Sequence, residues 1–197
     1  MSDIVAQRTE GGMMSMSDVV GLQGEKVHLV PVDKRLHLEN ALRWMNDPEV
    51  TQYLLNTTGV TPGMEEEWMD RVQKRDNDFV WAIVEDGGRH IGFSGIHRIN
   101  WRLRMGGTGT VIGEKSEWRK GYGSDAMRVR TKFAFETLNL HRLESEARID
   151  NIGSQRALEK AGYRREGIAR KKLYWGGRWY DTVLYAILDE DYFARTR

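Results

Sequence analysis

The chain has 197 residues and a mass of 22.8 kDa, with 40% hydrophobic residues, 3 prolines and no cysteine. That length supports one domain with a core of its own, and the absence of cysteine excludes disulfides, thiolate metal sites and a cysteine nucleophile. The net charge of +1 hides a polarity: residues 1–97 carry 9 Lys+Arg against 16 Asp+Glu, residues 98–180 carry 19 against 9, and residues 181–197 carry 2 against 4. The basic middle either meets a polyanion or folds against the acidic first half. No run of 18 apolar residues exists, so no membrane partner is expected. The first residues lack a basic stretch leading into an apolar one, so no secretory leader is expected and a cytoplasmic location is.

Residues 1–23 read as a flexible tail, small and polar around positions 10–18, and residues 24–197 as one domain. Residues 26–30 alternate and predict a first strand. Asp33 is placed to cap a helix carrying Leu38, Ala41, Leu42 and Met45, and Pro48 can open a short second one. A third helix is predicted over residues 64–75, with Glu65, Glu66 and Glu67 at the end where the dipole favours acids. Strands are predicted over residues 79–84 and 90–96, joined by a turn at Asp86, Gly87 and Gly88. Residues 97–104 read as a wide arginine-rich loop, and residues 109–113 as the next strand. A helix within residues 119–138, a strictly alternating strand over 142–148, a helix from Ile152 to Ala161 and strands over 163–169 and 179–188 complete the pattern. The fold class is therefore α/β or α+β: a single domain with a mixed, mostly antiparallel sheet of about six to seven strands flanked by helices.

The turn before the 119–138 helix carries the strongest chemical signal. Gly121 and Gly123 let the backbone approach a ligand, a helix starting there aims free N–H groups outward, and Arg119 and Lys120 add charge at the mouth. This favours a phosphate or pyrophosphate. Neither a P-loop nor a G-x-G-x-x-G fingerprint is present, and a plain helix-entry turn explains a lone G-x-G equally well. Asn151 and Ser154 follow the 142–148 strand, where an open sheet places ligand groups; both are also ordinary helix caps. The five histidines show no metal-ligand spacing, so no metal site is expected.

Taken together, the two elements resemble the GNAT acetyltransferase superfamily, closest to the ribosomal-protein (N-terminal alanine) acetyltransferases. Residues 118–126 read W-R-K-G-Y-G-S-D-A where that subgroup often reads W-G-K-G-Y-G-T-E-A, and residues 151–163 fit N-x-x-S-x-x-x-x-E-K-x-G-F/Y throughout. The resemblance covers roughly residues 25–190 and is most specific over 110–185. It implies acetyl-CoA as cosubstrate, with the backbone of Val111, Ile112 and Gly113 along the pantetheine arm. The N–H groups of Arg119, Lys120, Gly121, Tyr122, Gly123 and Ser124 would lie on the pyrophosphate, and Asn151 would contact the arm. Many family members carry a tyrosine acid where this chain has Leu158; the resemblance to the serine-using subgroup implies Ser154 as the acid toward the leaving thiolate, with Tyr163 as an alternative. Glu114, Glu144, Glu146 and Asp181 are the carboxylates near the expected site, and none is singled out as base. Arg119 and Lys115 replace the subgroup's usual Gly and Pro, and an Arg that resists positive φ is expected to shift the loop.

The acceptor implied is a protein N-terminal amine, with polyamine, amino acid or aminoglycoside as alternatives, and a homodimer is compatible with the family. Two readings of other classes remain: a basic RNA-binding surface around Arg164, Arg165, Arg170, Lys171 and Lys172, and a CoA-sensing module without turnover. An ordinary hairpin with solvated charges accounts for the former, so no nucleic-acid partner is expected.

Overall fold

The computed structural model describes residues 21–54, 58–74 and 77–196. Residues 1–20 of the expected tail lie outside that range. Leu22–Gln23, also assigned to the tail by sequence, form a short strand β1 paired antiparallel with β2 (Val27–Pro31). Two residues carry no periodicity, so the sequence predicts six to seven strands where the described residues hold eight.

Three helices follow: α1 (Lys34–Met45), α2 (Pro48–Thr51) and α3 (Pro62–Gln73). Each starts where a side chain accepts an otherwise unpaired N–H. Asp33 accepts from Arg35 N–H at 2.8 Å, Asp47 from Glu49 N–H at 2.9 Å, and Thr61 from Met64 N–H at 3.4 Å. The expected end of α3 at Arg75 lies outside the described residues. Next come β3 (Phe79–Glu85), β4 (His90–Asn100) and β5 (Met105–Ile112), an antiparallel meander. The wide loop predicted over 97–104 is not there. β4 runs on to Asn100, the chain turns through residues 101–104, and β5 starts four residues earlier than predicted. Gly106 and Gly107 conceal the start of the strand, because glycine carries no side chain to alternate.

Helix α4 (Tyr122–Glu136) leads to β6 (Arg142–Arg148), α5 (Ile152–Lys160), β7 (Arg164–Trp175), β8 (Arg178–Leu188) and α6 (Asp189–Thr196), the last not foreseen from sequence. The sheet order is β1-β2-β3-β4-β5-β6-β8-β7. Two cores cover its faces. Val27, Leu29, Ile83, Ile96, Ala126, Phe135 and Leu158 fill the α4/α5 side, and Val30, Ala41, Trp44, Met69, Ala82 and Phe93 the α1/α3 side.

One feature of the pairing positions the site. β5 and β6 are parallel and pair only at Met105↔Arg142, Gly106↔Leu143 and Gly107↔Glu144. On their outer edges both stay paired much further, β5 with β4 as far as Ile112↔Gly92 and β6 with β8 as far as Arg148↔Thr182. Beyond Gly107 the two strands therefore diverge, and a V-shaped gap opens toward their C-terminal ends.

Candidate active site

The β5 wall of the gap is backbone. Gly113 N–H donates to Ile91 O at 2.9 Å across the β4 ladder, and alternation turns Val111 and Gly109 the same way. The backbone of Thr110 and Ile112 consequently faces the gap. Ile112 O is taken by the Trp118 indole N–H at 2.7 Å, which leaves the Ile112 N–H and both polar groups of Thr110. Of the three predicted arm-binding residues, Ile112 presents backbone to the gap, while Val111 and Gly113 belong to the β4 ladder; Thr110 is the member the sequence misses. Gly113 has a packing role besides: a Cβ there would lie 2.0 Å from Trp44 Cδ2.

At the end of β5 a 3-10 turn (Lys115–Glu117) leads into the glycine loop. The buried Glu117 carboxylate accepts from Lys120 Nζ at 3.0 Å and from Arg89 at 2.5 Å, and these two cations, Lys120 foremost, hold its pKa below the usual carboxylate range. Lys120 is thus anchored within the loop. Arg119 takes φ = +65°. The loop thus places an arginine in the left-handed region, where a glycine would carry no strain. Gly121, at φ = +92°, precedes α4 as its N-cap without a side-chain hydrogen bond, unlike the capped α1, α2, α3 and α5. Tyr122, Gly123 and Ser124 hold the first N–H groups, which have no intrahelical acceptors. Asp125, the acid of that first turn, is turned inward to Lys26 N–H at 2.7 Å, Val27 N–H at 3.2 Å and Arg128 at 2.9 Å.

Lys26 also reaches the loop: its Nζ donates to Lys120 O at 3.1 Å. A Cβ on Gly121 would meet nothing closer than that Nζ at 3.6 Å, and one on Gly123 nothing closer than Ile112 Cγ1 at 3.7 Å. The result is an open cradle of N–H groups at a helix N-terminus with Lys26 beside it. Sequence reasoning misses Lys26, which stands 94 residues from its partner.

The β6 wall ends in a locked corner. The Arg148 side chain, 6% exposed, pairs with Asp150 at 2.6 Å, donates to Gln52 O at 2.8 Å and lies between the Tyr53 and Tyr180 rings, 4.5 and 4.3 Å from their centroids. Asn151 follows and caps α5, its Oδ1 accepting from Ser154 N–H at 3.1 Å. The Ser154 hydroxyl is half-buried and has no partner among the described residues. Leu158 is core, 1% exposed. The Tyr163 hydroxyl is enclosed beneath the sheet on Arg130 and Thr131, at 3.2 and 3.3 Å, which removes it from the gap.

This arrangement fits acetyl-CoA. Unpaired backbone along Thr110 and Ile112 suits an amide-bearing arm, and the α4 cradle with Lys26 suits a pyrophosphate.

The profile of the acetyltransferase (GNAT) domain family matches residues 26–164. YjcK of Bacillus subtilis, named as a probable N-acetyltransferase, is 34% identical over 126 residues, 64% of this chain and 69% of that protein. YdaF of the same organism, named for a proposed ribosomal N-acetyltransferase activity, is 31% identical over 122 residues, 62% of this chain and 66% of that protein. Spermidine N-acetyltransferase from Vibrio cholerae, solved with CoA and spermine, superposes with a TM-score of 0.79 at 18% identity, over 85% of this chain and 98% of that one.

Proposed function

We propose that this chain, which belongs to the GNAT family of acetyl-CoA-dependent N-acetyltransferases, acetylates the N-terminal amine of a protein. The observation that carries the choice of acceptor is the state of the acids around the gap. Glu114 is paired with Arg43 at 3.0 Å, Glu117 with Arg89 and Lys120, Glu144 with Arg142 at 2.9 Å, and Glu146 with Lys172 at 2.5 Å. A polyamine calls for several unclaimed carboxylates; these four are claimed by the chain's own cations, and Asp181, which accepts only from the Lys171 N–H at 2.9 Å, is the one left without an ion pair among the described residues. Lys120 and Arg89 also hold the Glu117 carboxyl below the usual carboxylate range, which makes it a weak base. An α-amine, with a pKa of about 8, is neutral in roughly a tenth of molecules at pH 7, whereas a lysine-like amine near 10.4 needs a base to deliver it. The site thus suits an acceptor that largely deprotonates itself. The sequence likeness over residues 118–126 and 151–163 and the relationship to YdaF support the same choice.

Acetyl-CoA, when bound, supplies an activated acetyl thioester. Thr110 and Ile112 N–H would hold its arm and carbonyl, and Lys26, Arg119 and the N–H groups of Gly121, Tyr122, Gly123 and Ser124 its phosphates. Asn151 fixes the first turn of α5, and there Ser154 Oγ–H is free to hand a proton to the leaving sulfur.

The test offers acetyl-CoA with three acceptors: a peptide with a free α-amine, the same peptide N-terminally blocked but carrying a lysine, and spermidine. Thiol release is read with a disulfide reagent, to which the cysteine-free chain itself is silent. At least tenfold higher kcat/KM for the free α-amine is expected. A preference for spermidine or for the blocked peptide overturns the assignment.

A further inference from the structure

Arg130 sits midway along α4 and is 0% exposed, yet no carboxylate lies within ion-pair range of it among the described residues. Its Nη1 donates to Gly109 O and Thr110 Oγ1, both at 2.8 Å, and to Ser94 Oγ at 3.1 Å; its Nη2 donates to Tyr163 Oη at 3.2 Å; its Nε has no partner. A guanidinium buried against neutral acceptors is costly, and a well-packed apolar side chain of similar volume would give the same core without that cost. What the cation touches suggests its use. The Gly109 carbonyl and the Thr110 N–H are two ends of one trans peptide group and point in opposite directions. The carbonyl meets Arg130; the N–H faces the gap, just beyond the last β5–β6 pair at Gly107↔Glu144.

We propose that Arg130 is a positioning residue for acetyl transfer: its charge polarises the Gly109–Thr110 peptide and so strengthens the Thr110 N–H as a donor to the thioester carbonyl oxygen. That oxygen gains negative charge as the amine nitrogen bonds to the carbonyl carbon, and loses it when the carbon–sulfur bond breaks. A donor already polarised stabilises that charge more than an ordinary amide does. The inference rests on the acetyltransferase reading above. The rival role for Arg130 is a clamp joining β4, β5, α4 and Tyr163.

The test uses the full chain as wild type, Arg130→Met, Arg130→Lys and Tyr163→Phe. Each is loaded with acetyl-CoA carrying 13C at the thioester carbonyl, and the C=O stretch is read by isotope-edited infrared difference spectroscopy. In the wild type the band is expected below that of free acetyl-CoA. Arg130→Met returns it toward the free value, Arg130→Lys leaves it between, and Tyr163→Phe leaves it at the wild-type position, with acetyl-CoA affinity held within a few-fold throughout. The kcat of Arg130→Met falls by about 10- to 100-fold, less than the 10²–10³ lost when a donor is deleted. Identical bands in wild type and a folded, loaded Arg130→Met overturn the proposal, and a lowered melting temperature with an unmoved band identifies the clamp. If Arg130→Met fails to fold, Arg130→Gln replaces it, and an Arg130→Gln band at the wild-type position overturns the proposal. A wild type that takes up no acetyl-CoA removes the reading beneath it, and the inference with it.

Discussion

Two glycines separate what the fold requires from what the ligand requires. A Cβ on Gly113 would lie 2.0 Å from Trp44 Cδ2 and 2.4 Å from Cε3. Carbon atoms rest about 3.5–4.0 Å apart, so Gly113→Ala forces a movement of about 1.5 Å. Trp44 cannot easily supply it: the ring is 2% exposed and packed against His90 at 4.7 Å and Phe93 at 6.1 Å. Overpacking of this kind costs about 1–3 kcal/mol, and the rigid surroundings place it near the top of that range. At about 2–4 °C per kcal/mol, Tm falls by about 6–12 °C. Because the end of β5 moves with it, acetyl-CoA affinity falls too. Gly123 is the contrast. Its added Cβ would meet Ile112 Cγ1 at 3.7 Å, an ordinary contact, in a helical residue. Gly123→Ala is therefore expected to stabilise by about 0.5–1 kcal/mol, while its methyl group intrudes on the anion cradle and weakens acetyl-CoA at least tenfold. Differential scanning fluorimetry and isothermal titration calorimetry read both variants. A Gly113→Ala chain melting within 1 °C of wild type refutes the packing argument, and a Gly123→Ala chain binding acetyl-CoA as wild type does refutes the cradle.

Arg119 holds φ = +65°, a conformation costing a non-glycine residue about 1–2 kcal/mol, so Arg119→Gly, after glycine's own entropic cost, is expected to raise Tm by up to about 4 °C; a fall contradicts the strain. Ser154→Ala is expected to lower kcat by about 10²-fold with KM within twofold in steady-state assays, and an unchanged kcat removes Ser154 from the chemistry. His37 and His90, 0% and 1% exposed with rings 4.6 Å apart, are pushed by burial from about 6.5 down to about 4 and about 3. Their folded-state values are depressed, so the unfolded chain binds protons first: the stabilisation is complete above pH 6.5 and drains as pH falls toward 4, by about 3 kcal/mol for His37 alone. Urea unfolding at pH 7, 6 and 5 checks this, and equal free energies at the three pH values contradict it.

What the sequence revealed was what neighbouring residues encode. Hydrophobic alternation marked β2 and β6, a continuous apolar run marked β3, turn glycines marked the β3–β4 hairpin and the start of α4, and Asp33 and Asn151 were readable as caps. Where glycines replaced side chains, as at Gly106 and Gly107, the start of β5 went unread, and in the arginine-rich stretch 97–104 the end of β4 passed for a loop. The site was legible to the same degree. Its glycine loop and Asn151 turn are contiguous motifs, whereas Lys26, Trp44 and Arg148 enter through contacts across 94, 69 and 96 residues that no local pattern records. Alternation along β5 likewise decides that Thr110 and Ile112, rather than Val111 and Gly113, face the gap, and that parity depends on where β4 pairs.

The central claim is that the β5–β6 gap and the α4 cradle bind acetyl-CoA. Thermal unfolding with acetyl-CoA, beside ATP and NADPH as other phosphate-rich ligands, tests it most directly. At about 100 times Kd, acetyl-CoA is expected to stabilise the chain by about 2.7 kcal/mol and raise Tm by roughly 5–11 °C, with ATP and NADPH far behind. No shift, or one of equal size with all three ligands, would contradict the claim and leave a basic surface that holds polyanions without distinguishing them.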